Sequence, residues 1–65
     1  MHEVFLICDY PSLRPLEAHW TAESAEQACV RNHDADLIFD RRDADVREVK
    51  LGEHIVAAII RLGIF

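Results

Sequence analysis

Apolar positions along this chain fall into short stretches with distinct periods, separated by polar punctuation. Residues 3 to 10, EVFLICDY, are rich in aromatic and β-branched types and predict a strand. The period of two puts Val4, Leu6, Cys8 and Tyr10 on one face and Phe5 and Ile7 on the other. Apolar residues on both faces mark a central strand. Pro11, Ser12 and Pro15 punctuate a turn that exposes Ser12 and Arg14. Beyond it, Leu16, Ala18 and Trp20 alternate with Glu17, His19 and Thr21, the pattern of a half-buried strand returning as a hairpin.

The period then changes to that of a helix. In TAESAEQACVRNHD, Thr21 or Ser24 can cap the start, Ser24 with Gln27 forming a capping box, and Glu23 and Glu26 suit the positive end of the helix dipole. Ala25, Ala28, Cys29 and Asn32 share a narrow face of small side chains, so the helix can lie close on a sheet. Leu37, Ile38 and Phe39 form an apolar run whose state the pattern leaves open, and DRRDAD after it predicts a charged turn. VREVKL alternates over 46–51 as a third strand, placed at an edge because charges occupy both of its faces.

The closing segment, GEHIVAAIIRLGIF, admits two readings. Its β-branched residues favour a strand, whereas Ala57, Ala58, its length and Gly63 favour a helix with Ile55, Val56, Ile59, Ile60 and Leu62 over a wide arc. The helix is preferred. The expectation is therefore one α+β domain over 1–65, order β-β-α-β-α, a small two-layer body with an antiparallel three-stranded sheet resembling half of a ferredoxin-like fold.

Size sharpens the meaning of that closing segment. A domain of about 60 residues buries only about 60% of its unfolded surface and gains from association or unusually tight packing. Part of the apolar arc must complete the core, and the excess, Ile60, Ile64 and Phe65, marks candidate contacts to a second copy. A net charge of -5 with a single lysine, Lys50, excludes direct nucleic-acid binding and favours a basic protein surface as partner. The first residues, MHEVFLICDYPSLR, lack the basic start of a secretory signal, and no run is long enough to cross a membrane, so a cytoplasmic protein is expected.

Candidate chemistry is sparse. Cys29 and His33 lie four apart on the predicted helix, Cys8 can approach from the sheet, and His2 or His54 would complete a zinc set. No CxxC or HxxxH pair accompanies them, so ordinary packing of both thiols is preferred, with a Cys8 to Cys29 disulfide left open. A thiol nucleophile at Cys29 would sit mid-helix on the core face, the wrong environment for a lowered pKa. The acidic run from Asp34 to Glu48 fails as a calcium loop because Ile38 and Phe39 stand where a ligand and a glycine are required. No catalytic residue, cofactor or metal is expected. Asp40, Arg41, Arg42, Asp43 and Asp45 make either a recognition surface or a solvated loop of weak ion pairs. Tyr10 and Trp20 are read as binding anchors or core, Trp20 toward the core.

The order hairpin, TAESAEQAC helix, VREVKL strand, with Ala22, Ser24 and Ala28 in an A-x-S-x-x-x-A helix opening, resembles small phage-encoded inhibitors of the anti-CRISPR kind. The resemblance covers the plan of residues 3 to 51 and implies a non-enzymatic protein that blocks a larger nucleic-acid-processing complex by protein contact. Arg41 and Arg42 count against mimicry of DNA. The alternatives are an accessory or regulatory subunit of a bacterial enzyme and a metal-dependent regulator built on Cys8, Cys29 and His33.

Overall fold

The computed structural model describes residues 2–33 and 36–64. Its elements run β1 (His2–Asp9), β2 (Pro15–His19), α1 (Ala22–His33), β3 (Ile38–Arg41), β4 (Val46–Leu51) and β5 (His54–Ile64). All strands join one antiparallel sheet in the order β2-β1-β5-β4-β3. The three-stranded β-β-α-β-α expectation is thus overturned. The described residues are mostly β, with five strands and a single helix.

The decisive difference is the closing segment, which is the central strand. β5 pairs along the whole of β1, His2 opposite Ile64 through Asp9 opposite Ala57, and on its other side pairs with β4. Without it, β1 and β4 would each present a row of unpaired N–H and C=O groups, and satisfying both ladders outweighs the helix propensity of two alanines. Ala57 and Ala58 fit the strand for a different reason: both are buried, on opposite faces, where other parts of the chain approach closely. Because β5 takes the centre, VREVKL is an interior strand. On that side of the sheet the edge falls instead to β3, in which Ile38 and Phe39 of the apolar run continue into the charged Asp40 and Arg41.

The helix forms as its pattern requires, with one change of detail. Thr21 is the cap: its Oγ1 accepts from Ser24 N at 3.1 Å and its carbonyl accepts from Ala25 N at 3.2 Å. Ser24 is free to turn its hydroxyl to His19 Nδ1 at 2.7 Å, tying the end of β2 to the helix. Asn32 donates to Glu17 Oε2 at 3.0 Å and makes a second tie from the far end. That hydrogen bond, followed by the one from His19, lowers the pKa of Glu17.

Ala25, Ala28 and Cys29 pack on Ile7, Val49, Ala57 and Ile59, with Phe5, Leu37, Phe39 and Val56 around them. A bulge between Val49 and Lys50 leaves Val56 as the extra residue of β5, so Val56 joins this cluster beside Ala57. Small helix residues against large sheet residues is the complementarity that sets this layer. Cys29 is fully buried here, and desolvation, then the nearby Glu17 and Glu26, push its thiol up to about 11.

Candidate protein-binding face

Strand alternation assigns each sheet residue to a face. Phe5, Ile7, Val49, Ala57 and Ile59 lie under α1, so their neighbours in register, Val4, Leu6, Cys8, Val46, Ala58, Ile60 and Leu62, lie on the opposite, helix-free face. No second layer covers all of it. The Tyr10–Arg14 turn folds over one end, held by Leu13 N to Asp9 O at 2.8 Å and Asp9 N to Arg14 O at 2.9 Å. Leu13 adopts a left-handed φ of 58° there, which costs a branched side chain about 1–2 kcal/mol. The reward is position: Leu13 and Tyr10 project beside Ala58 and Val46.

The result is a groove of about 320 Å³ lined by Tyr10, Leu13, Arg42, Asp43, Val46, Glu48 and Ala58. Its polar handle is the pair Arg42 Nη1 to Glu48 Oε2 at 2.9 Å, the carboxylate largely covered and the guanidinium largely open. Asp43 accepts from Asp45 N at 2.7 Å and Val46 N at 3.0 Å through Oδ1, which shapes the turn between β3 and β4. Beyond the groove, away from the turn, the face continues as a row in which Val4 on β1 stands opposite Leu62 on β5. Trp20 lies one residue past the end of β2, after His19, which pairs with Phe5 on β1. Trp20 is 73% exposed and Leu62 45% exposed. The expectation of Trp20 as core therefore fails, because the hairpin ends at His19 and the chain turns into α1 before an indole could tuck under it.

The residues proposed from sequence divide between the two faces. Tyr10, Arg42 and Asp43 meet at the groove. Asp40 lies on the same face opposite Glu48, and its Oδ2 accepts from Lys50 Nζ at 2.9 Å, which raises the lysine pKa. Arg41 and Asp45 belong to the other side of the sheet, in a hollow beneath the start of α1. Ile60 is half-buried on the helix-free face between Leu6 and Val46. Ile64 ends β5 opposite His2, and Phe65 lies outside the described residues. Glu48 belongs to the charged 40–48 segment that the sequence offers as a recognition surface, whereas Leu13 and Leu62 are not singled out as site residues from sequence. A lone leucine between Ser12 and Arg14 in a proline-flanked turn was the available signal for Leu13.

The cysteine and histidine constellation is not assembled. Cys8 is buried on the helix-free face and Cys29 on the helix-covered one, both as free thiols, with the sheet between them. Burial raises the pKa of Cys8 as well. Among the described residues no three His, Cys, Asp or Glu side chains converge as metal ligands. No described helix is long and apolar enough to cross a membrane.

Comparison with known proteins returns no match. No family model fits the chain, and no curated protein or solved structure resembles it.

Proposed function

We propose that this chain is a non-catalytic protein-binding module of the cytoplasm that engages a basic protein partner through its helix-free sheet face. The observation that carries the reading is the helix-free face itself, where Val4 opposite the exposed Leu62 shares one sheet surface with the groove of Tyr10, Leu13, Arg42 and Glu48, with the exposed Trp20 just past the end of β2. Exposed aromatic and apolar side chains around a partly desolvated ion pair are the composition of a binding hot spot. A net charge of -5 favours a basic partner and opposes association of two copies. Blocking a nucleic-acid-processing complex is the mode of action that the inhibitor resemblance implies, since such complexes expose basic surfaces.

Affinity capture from the source cell with wild type, Leu62→Glu and Arg31→Gln, the last on the exposed surface of α1, tests the reading. A basic protein retained by wild type and Arg31→Gln but lost by Leu62→Glu is the expected result. Equal retention by all three removes the face from the interaction. Sedimentation of the purified chain guards the other side: a dimer at micromolar concentration that Leu62→Glu dissociates would make a second copy the occupant and end the heterologous reading.

A further inference from the structure

The hollow on the opposite side of the sheet carries chemistry of its own. It has a volume of about 100 Å³ and is lined by Arg41, Arg47 and Arg61 over an apolar floor of Phe5 and Ile59, with Ala22, Ala44 and Asp45 at its rim. Three of the chain's six arginines thus converge on one small space in an acidic protein. Arg41 on β3 stands directly across from Arg47 on β4, a like-charge pair that destabilises the ladder unless something negative sits between them.

The chain's own carboxylates answer this charge unequally. Arg47 Nη1 donates to Glu26 Oε2 at 2.7 Å. Arg61 donates to Asp45 Oδ1 from Nη2 at 2.8 Å and from Nε at 3.1 Å, and Nη1 reaches Glu3 Oε1 at 3.4 Å. Arg41 makes no salt bridge among the described residues. Asp45 is exposed on the turn, so it can leave the Arg61 fork without burying a charge.

We propose that this hollow is an oxyanion site that takes a phosphate group, bridging Arg41 and Arg47 and displacing the Asp45 carboxylate from Arg61. A phosphate presents acceptors toward donors on several strands at once, whereas a flat carboxylate satisfies one guanidinium fork. The site lies on the other face from the protein-binding groove and does not depend on it.

The test is titration with inorganic phosphate and, separately, methyl phosphate at constant ionic strength, read by the amide NMR shifts of Ala22 and Ala44. Saturable shifts are expected. Arg41→Gln should weaken binding about tenfold, and Arg41→Lys less, while Asp45→Asn should strengthen it several-fold by freeing Arg61. Arg14→Gln, on the distant turn, should leave it unchanged. Methyl phosphate binding as tightly as the free ion assigns the site to phosphate esters, and weaker binding assigns it to inorganic phosphate. Linear, unsaturable drift overturns the proposal, as does equal loss in Arg41→Gln and Arg14→Gln or weaker binding by Asp45→Asn. A wild-type-like amide spectrum for each variant separates lost binding from lost fold.

Discussion

The two faces of this one sheet solve opposite problems with the same five strands. Under α1, alanines and a cysteine from the helix meet Ile7, Val49 and Ile59, which are buried, with Phe5, Leu37, Phe39 and Val56 partly buried around them and the charges at the margin. On the other face a short turn stands in place of a second helix, lies beside Ala58, and leaves Trp20 and Leu62 exposed. Stability is therefore concentrated on one side and availability on the other. A chain this size cannot cover both faces of a five-stranded sheet with 12 helical residues, so the uncovered remainder is where selection for contact can act without disturbing the core.

That division can be broken by substitution, beginning with the largest effect. Ile59→Ala empties the centre of the helix-covered layer and should cost about 2–4 kcal/mol in denaturant unfolding. A loss below about 1 kcal/mol would show that this face is not the principal core.

Alkaline titration probes the same layer. Cys29 is pushed up to about 11 in the fold from an ordinary 9.0, so its contribution is intact below pH 9 and is lost as the pH climbs from 9 toward 11, where the unfolded thiol ionises first. Stability of wild type should fall across that window. Cys29→Ala should flatten the fall, and an unchanged slope would place the thiol in water.

Leu13→Gly acts on the other face and should raise stability by up to about 1 kcal/mol by relieving the left-handed leucine. Partner capture should fall all the same, because the groove loses a wall. A variant both more stable and equally competent would separate Leu13 from binding. The smallest effect belongs to Leu62→Glu, within about 0.5 kcal/mol of wild type in stability yet unable to hold a partner. A larger loss of stability would mean that the open face is part of the core after all.

Local pattern reached the elements whose causes are local. The β1–β2 hairpin, the helix with its narrow Ala25, Ala28 and Cys29 face, and the 46–51 strand follow from periods and caps within a few residues. The fate of residues 53–64 does not, because Ala57 and Ala58 favour a helix until β1 and β4 stand on either side. That pairing joins residues nearly a chain length apart, and no local window contains it. The candidate site was legible in part for the same reason. The charges of the 40–48 segment announce themselves, but their division between two faces depends on β3 pairing with β4, which puts Arg41 under the helix and Asp40 above the groove. Trp20 was misplaced because its exposure depends on where the chain turns, not on its own chemistry.

The central place of β5 also governs the order in which this protein can be made. The β1–β2 pair and the β3–β4 pair share no ladder, and the strand that joins them is the last of the six elements in the chain. Neither pair is a sheet of useful size alone, since two-stranded ribbons are marginal in water. The structure is thus the kind whose decisive contacts span most of the chain, and its folding should be slow for its length and all-or-none. On a ribosome, both pairs would wait with open edges until β5 had emerged.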